Sequence, residues 1–522
     1  MRRMRYRLPA GALFIMITLA AGCSHYKRNE AHPEIAGSSI KRGEALSFQY
    51  CQSCHGRPDP DLLDVKSWEK GVLPHMGPLL GITSFKGQTY PSSRNDRFLD
   101  KSYYPSAPLL KPGEWQDIVN YYIGTSPDSL PAQQRPVAIA EGLTLFKAIA
   151  PTVPAGSPPT SCLIQVDTSV LPHTLLVGDV ITKKILRWNA RLDIIDSVQG
   201  GGPVVGLDLS KGKMVACNIG LLNPSNGKFG KGQTIFMDPS GKMRLDSVAL
   251  FGDLARPVQI SAADLNGDGK TDYLVCEFGY MTGALSWMEN RGDTGYIRHV
   301  IRAVPGAIKA YINDYNHDGL PDLWVLFAQA DEGIFLFTNK GNGQFSSEAA
   351  LRFPPAYGSS YFELADFNKD GFPDIVYTCG DNADFSLVLK PYHGVYIFMN
   401  DGKNHFSQRY FFPINGCYKA MARDFDGDGD LDLAVISFFA DYKRQPEEGF
   451  VYLENQGDFN FKPFSVPETQ VGRWLTMDVA DFDGDGRTDI ILGNFSIAPG
   501  FVKPRLDWKK GPPFLLLKNM GK

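Results

Sequence analysis

The chain has little net charge to offer a polyanion. Its 53 Lys and Arg nearly balance 57 Asp and Glu, leaving −4 with histidine neutral, so nucleic acid is not an expected partner. Histidine is scarce, at nine. His173, His299, His317, His393 and His405 are scattered and form no cluster suited to catalysis. No dinucleotide-binding glycine fingerprint and no paired nucleophile and base stand out. Beyond the first 22 residues no apolar run is long enough to span a bilayer. What the chain does have is length and turns. Its 522 residues exceed what one core usually serves. Its 53 Gly, 36 Pro and 12% aromatic residues suit a strand-rich, turn-rich protein.

The start reads as a targeting segment. Arg2, Arg3, Arg5 and Arg7 precede the apolar stretch Leu8 to Ala21, which is short for a membrane span. It runs into Leu19-Ala20-Ala21-Gly22-Cys23, which resembles a bacterial lipobox. The resemblance implies a signal peptide over 1–22, a lipidated Cys23, a tether over 23–40, and a lipid-anchored place in a bacterial cell envelope. A plain secretory signal with an incidental Cys23 is the alternative.

Cys51-Gln52-Ser53-Cys54-His55 is a C-x-x-C-H motif. Two thiols at this spacing reach both vinyl groups of one haem, and the next residue places its imidazole under the iron. A zinc site would need a second ligand pair nearby, and a redox dithiol a βαβ context; neither is present. The expected cofactor is one covalent haem c held by Cys51, Cys54 and His55. Lys41 to Tyr50 reads as a helix running into the motif. Pro112 to Gly124 reads as a second, with Trp115, Ile118, Val119 and Tyr122 at helical spacing. Residues 41–128 resemble the cytochrome c fold, in which a small residue such as Gly43 lets the first helix cross aromatics such as Tyr121 or Tyr122. For the sixth iron ligand Met76 leads, His75 competes, and an open position is the third option.

A nine-residue pattern, D-x-[DN]-x-D-G-x-x-D, occurs five times. Its ligand-type residues are Asp264, Asn266, Asp268 and Asp272; Asp314, Asn316, Asp318 and Asp322; Asp366, Asn368, Asp370 and Asp374; Asp424, Asp426, Asp428 and Asp432; and Asp481, Asp483, Asp485 and Asp489. Oxygens at positions 1, 3 and 5 converge when the chain turns tightly, glycine at position 6 permits the turn, and Asp at position 9 closes the shell. Hard oxygen donors in this number select Ca2+. An EF-hand would need Glu at position 12, where Val275, Val325, Tyr377, Val435 and Leu492 stand. Up to five Ca2+ are expected. The Asp424 and Asp481 loops, with Asp in place of Asn at position 3, are expected to bind most tightly. Near Asp167 and Asp208 the pattern is lost, and no metal is expected there.

An apolar strand followed by a polar turn repeats out of phase with the loops: 283–293, 333–342, 394–403, 449–458 and 514–522, with weaker copies at 184–193 and 234–243. Seven such units predict a seven-bladed β-propeller over 142–522. The seventh lacks an outer strand, and Gly142 to Ile149 is expected to supply it. The repeats resemble the FG-GAP/VCBS family, which includes the integrin α-subunit propeller; the resemblance implies the fold and the calcium sites. The expected fold class is thus multi-domain: a small all-α cytochrome c domain, a linker over 129–141, and an all-β propeller.

The connections between second and third strands vary most. They include Glu277 to Tyr280, Cys379 to Asn382, Phe438 to Arg444, and Asn494 to Pro513 with Arg505, Trp508 and Lys509. Binding residues favour such loops, so this face is the expected docking face for a glycan or protein. The leading expectation is an electron carrier served by a redox partner protein or a quinol-linked donor. The alternatives are a haem-coupled oxidoreductase acting on a small molecule or glycan at the propeller, or a binding lipoprotein with an accessory haem.

Overall fold

The computed structural model describes residues 27–521 except residues 154–155, 384, 501 and 503–504. The expected signal segment and Cys23 lie outside the described residues.

The N-terminal unit is built on α1 (Gly37–Tyr50), the short α2 (Leu73–Met76) and α3 (Pro112–Thr125). Pro112 suits the first turn of α3, where its missing N–H costs nothing, and the Glu114 carboxylate accepts the Lys111 N–H at 2.7 Å. Trp115, Ile118, Val119, Tyr121 and Tyr122 all turn inward. Helix α1 crosses α3 at Gly43. A Cβ there would stand 1.9 Å from the Asp117 carbonyl oxygen and 2.8 Å from Tyr121 Cβ, so only glycine lets the two backbones touch. Asp117 then locks the crossing, accepting from Ser39 Oγ and from Arg42 Nε.

The segment read as a free tether is docked where it is described. The Asn29 N–H bonds the Gly124 carbonyl at 2.8 Å, Ile35 is buried in the helical core, and α1 begins at Gly37 rather than Lys41. The segment 129–141 is likewise packed. Gln133 Nε2 donates to the Lys390 and His393 carbonyls, Arg135 pairs with the buried Glu448, and Ala140 exchanges backbone bonds with Pro463 and Ser465.

Seven antiparallel sheets follow, six of them with sequential strands from the axis outward. Their inner strands are Ser161–Asp167, Val204–Asp208, Pro257–Ala263, Ala307–Asn313, Ser359–Ala365, Cys417–Arg423 and Trp474–Ala480. Second strands such as Asp374–Cys379 and Asp432–Ser437 are buried along their whole length, because a neighbouring blade covers each face. Outer strands such as Phe345–Arg352 are largely solvated. Blade two carries an extra strand, Phe251–Leu254, paired with Gly230–Met237. In every blade the inner strand shifts register after its first residue, as between Ala307 and Lys309. This bulge re-aims the residue that follows.

Phe146–Ile149 pairs antiparallel with Phe514–Asn519, matching Phe146 with Asn519 and Ile149 with Leu516. The N-terminal side of the propeller therefore supplies the outer strand of blade seven, as the repeat count predicts, and no blade is left open. Phe146 seats edge-on against Phe425 at 5.8 Å and Tyr452 at 5.4 Å. Truncation by Phe146→Ala should cost about 3–5 kcal/mol of unfolding free energy, read as a lower denaturant midpoint, whereas the outer-strand change Ser346→Ala should leave it unchanged. Equal midpoints for the wild type and Phe146→Ala would mean that this strand does not hold the ring closed.

Candidate functional site

Within each blade, the loops joining strands one to two and three to four share one face; the other connections share the opposite face. All five acidic loops lie on the first. Their construction is uniform. The position-1 carboxylate accepts the N–H of glycine at position 6: Asp264 from Gly269 at 2.8 Å, Asp314 from Gly319 at 2.8 Å, Asp366 from Gly371 at 2.9 Å, Asp424 from Gly429 at 3.0 Å and Asp481 from Gly486 at 2.9 Å. The chain is thus folded back around that oxygen pair, which keeps lone pairs for a cation. In two loops three carboxylates already converge: Asp424, Asp426 and Asp432, and Asp481, Asp483 and Asp485, each set with oxygens within 4.8 Å of one another.

Position 9 does something the sequence pattern hides. Asp272, Asp322, Asp374, Asp432 and Asp489 are buried, and one oxygen of each accepts the N–H of an asparagine ending the third strand. The pairs are Asn290 at 2.8 Å, Asn339 at 2.8 Å, Asn400 at 2.8 Å, Asn455 at 2.7 Å and Asn519 at 2.8 Å. Each asparagine Nδ2 also donates to the carbonyl of the residue just before that aspartate. Its Oδ1 accepts from the glycine two residues on, which makes the hairpin. The asparagine of the N-x-G signal therefore serves the acidic loop as much as the turn. Burial first, then the nearby Asp426, push Asp432 up to about 7; burial first, then Asp483, push Asp489 up to about 6. Carboxylates held this way favour a compensating cation. The donor set, all hard oxygen, fits Ca2+.

Two loops hold basic side chains against their own carboxylates: in blade three Lys270 Nζ pairs with Asp268 at 3.2 Å, and blade seven carries two such partners. Lys518 pairs with Asp483 and, at 3.6 Å, with Asp485, while Arg487 pairs with Asp485 at 2.5 Å. A cation entering this loop must displace internal partners. In blades one and two the corresponding turns close on serine: Asp167 Oδ1 accepts from Ser169, and Asp208 Oδ1 from Ser210.

The C-x-x-C-H motif sits where α1 ends. Cys51 opens a short 3-10 turn, Cys54 is exposed, and His55 is half-buried. No disulfide joins Cys51 to Cys54. His55 Nδ1 donates to the Gly56 carbonyl at 2.8 Å, which fixes the tautomer and leaves the Nε2 lone pair able to accept or to bind a metal. Burial pushes the Cys51 thiol up to about 11, with Arg57 pulling the other way. A redox dithiol needs the opposite shift. Arg57 bonds the Tyr121 hydroxyl at 2.5 Å and lies over the Phe48 ring at 4.2 Å, and Tyr122 Oη donates to the Pro58 carbonyl at 3.1 Å, so α3 staples the chain that leaves the motif. The residues present fit a covalent haem. Met76 ends α2, half-buried. The His75 ring is stacked on Phe385 of blade five at 4.2 Å, and its Nδ1 donates to the Gly71 carbonyl at 2.6 Å.

The helical unit rests on the face read from sequence as the variable one. Asn226 Nδ2 of blade two donates to Asp96 at 2.8 Å, Tyr103 Oη donates to the Met281 carbonyl of blade three at 3.1 Å, and Tyr392 Oη of blade five donates to the Leu62 carbonyl at 2.9 Å. Several residues expected there as binding groups are internal instead. Glu277 is fully buried, bonded to the Ala255 N–H, Ser286 Oγ and Arg298, because the second strand extends through it. Cys379 likewise ends a buried strand. The blade-six and blade-seven loops pack on each other, with Arg505 donating to the Lys443 and Arg444 carbonyls and Trp508 against Tyr442 at 4.6 Å.

Two outcomes follow for the loops. Chelator should lower the melting temperature markedly, since a cation bound only by the folded state stabilises it in proportion to RT ln(1 + [L]/Kd), and metal content should approach five per chain. A content near zero with an unchanged melting temperature would rule the cation out. Lys518→Met should tighten Ca2+ binding at blade seven severalfold by calorimetry; unchanged affinity would mean that the lysine does not compete.

Comparison with known proteins follows this geometry. The FG-GAP-like repeat family matches residues 264–325, 314–377 and 424–492. Cartilage acidic protein 1 of Mus musculus is 31% identical over 173 residues, covering 31% of this chain and 25% of its own length. Integrin alpha-PS3 of Drosophila melanogaster is 30% identical over 156 residues, covering 26% of this chain and 14% of its own. The chain thus spans a quarter or less of the length of these relatives. Sqt1 of Saccharomyces cerevisiae superimposes with a TM-score of 0.43 at 10% identity, over 70% of this chain and 97% of that one. The N-terminal domain of Nup159 does so with a TM-score of 0.41, also at 10% identity, over 74% of this chain and 98% of that one. The chain carries FG-GAP-like repeats, and they are built into a seven-bladed β-propeller.

Proposed function

We propose that this is a c-type cytochrome of the cell envelope that carries electrons, with a calcium-stabilised propeller as the seat of its haem-bearing unit. The observation that carries the reading is the C-x-x-C-H motif at the end of a helix that crosses a second helix on glycine, with His55 Nδ1 already committed to Gly56. Cys51 and Cys54 would hold the haem through thioether bonds, and His55 Nε2 would bind the iron. When bound, the haem supplies a one-electron couple whose potential follows its axial ligands and their surroundings. The chain's own part is to orient the imidazole, cover the Cys51 side with Tyr121 and Tyr122, and hold Arg57 beside the motif.

For the sixth ligand we favour Met76. The His75 ring is stacked on Phe385 at the propeller boundary, which leaves the half-buried Met76 thioether as the other donor on the same short helix. A donor and acceptor of the small-protein or quinol-linked class fit a carrier whose iron has no open position. Among the described residues no helix is long and apolar enough to cross a membrane, and the proposed membrane attachment rests on lipid at Cys23. A haem-coupled oxidoreductase remains the second reading, favoured by the direct seat of the motif-bearing unit on the loops of blades two, three and five.

Expressed with a haem-attachment system, the protein should stay coloured after denaturation, and Cys51→Ser with Cys54→Ser should be colourless. A colourless wild type would end the cytochrome reading. Met76→Ala should convert a low-spin spectrum to high-spin, with His75→Ala leaving it low-spin; the reverse pattern would transfer the ligand role to His75. The ferrous protein should bind carbon monoxide weakly at neutral pH. Tight binding, or haem reduction by a sugar or alcohol alone, would favour the oxidoreductase.

A further inference from the structure

The inner strands bring an unusual set of side chains to the propeller axis. The residue just after the bulge is Lys309 in blade four, Tyr361 in blade five and Lys419 in blade six, so three consecutive blades present Lys, Tyr and Lys at one level. All three are half-buried and keep accessible surface, as channel walls do. The ammonium groups flank one phenol ring: Lys309 Nζ is 5.8 Å and Lys419 Nζ 4.8 Å from the centroid of Tyr361. Lys309 Nζ also lies 4.8 Å from the Tyr311 centroid.

The carboxylates nearby are committed elsewhere. Glu363 accepts the Ala422 N–H at 2.7 Å and Arg423 Nη1 at 2.9 Å. Asp478 accepts the Val166 N–H at 2.8 Å, and Asp208 the Ala262 N–H at 2.8 Å. Each such bond ties one inner strand to that of the next blade. Lys419 donates to the Met477 carbonyl at 2.7 Å. Lys309 makes its two ring contacts but no hydrogen bond or ion pair among the described residues. A largely enclosed ammonium without an acceptor is costly. Burial accordingly lowers both lysines, Lys419 to about 8; Lys309 lowers Lys419 further, while Asp478 and Glu363 act on both in the opposite sense.

We propose that the tier formed by Lys309, Tyr361 and Lys419 is a binding site for a short-chain carboxylate anion. The carboxylate supplies Lys309 with the acceptor it lacks and places a single negative charge between two ammonium groups. Its two oxygens match two donors, and the faces of Tyr311 and Tyr361 suit a short aliphatic tail. A phosphate is served less well, because the tier offers neither a guanidinium fork nor a run of backbone N–H groups. The site depends on neither haem nor calcium.

The test is titration calorimetry of the full chain with sodium propionate, at constant ionic strength in chloride. Saturable one-to-one binding is expected, weakened at least tenfold in Lys309→Met and also weakened in Lys419→Gln, with far-ultraviolet circular dichroism unchanged. If Lys309→Met fails to fold, Lys309→Gln and Lys419→Gln carry the comparison. Absence of saturable heat in the wild type would overturn the site. So would equal affinity in the wild type and in the folded lysine variants. Displacement of propionate by an equal concentration of inorganic phosphate would overturn the carboxylate assignment.

Discussion

A buried aspartate at the ninth position of each acidic loop is what the rest of the propeller leans on. One of its oxygens faces the loop that it ends, as when Asp272 accepts the Leu265 N–H at 3.0 Å, and the other accepts from the asparagine that starts the outer hairpin. A carboxylate in that place cannot be replaced by a neutral isostere without leaving a buried N–H unsatisfied, which costs about 1–3 kcal/mol. The clamp also reaches between blades: Asn339 Nδ2 of blade four donates to the Leu265 carbonyl of blade three at 3.1 Å, and Asn519 of blade seven to Phe425 of blade six at 2.7 Å. The acidic loop and the hairpin at the blade edge therefore share one buried anion, and the stability of blade and ring cannot be separated from it.

Much of this was legible because it repeats. A nine-residue loop and an apolar strand ending in N-x-G, each recurring with the blade period, give the number of blades and the strand that closes the last one. The two patterns look out of phase along the chain because the second strand and the connection after it lie between them; in space they meet at Asp374 and Asn400 and at their four counterparts. Single-chain periodicity shows that both exist and not that they touch. Gly43 was readable for a different reason: a glycine inside a helix needs a close neighbour to justify it, and Asp117 and Tyr121 are that neighbour. Lys309 and Lys419 gave no such signal, because a lysine in an inner strand reads as a solvated residue until the ring closes around it.

The variable face was the place where sequence reasoning went furthest astray. Loop residues such as Glu277 look available for binding because they follow a strand and precede glycine and aromatics. The strand simply extends one residue further, and Glu277 becomes the buried anchor for Ser286 and Arg298. The described part of the segment before α1 shows the same error in the other direction. Polar residues such as Asn29 read as a free tether, yet the Asn29 amide nitrogen and side chain bond Gly124 and Ser126 across the helical unit.

Closure of the ring by residues 146–149 against residues 514–519 imposes an order on biogenesis. The helical unit emerges from the ribosome before any blade, and its seat on blades two, three and five does not exist until those loops have been made. Strand 146–149 must wait, unpaired, for almost all of the remaining chain. Such a long-range closure is slow and exposes a strand edge meanwhile. The connectivity thus fixes a sequence of events on the nascent chain: the helical unit first, its seat on blades two, three and five next, and pairing of strand 146–149 last.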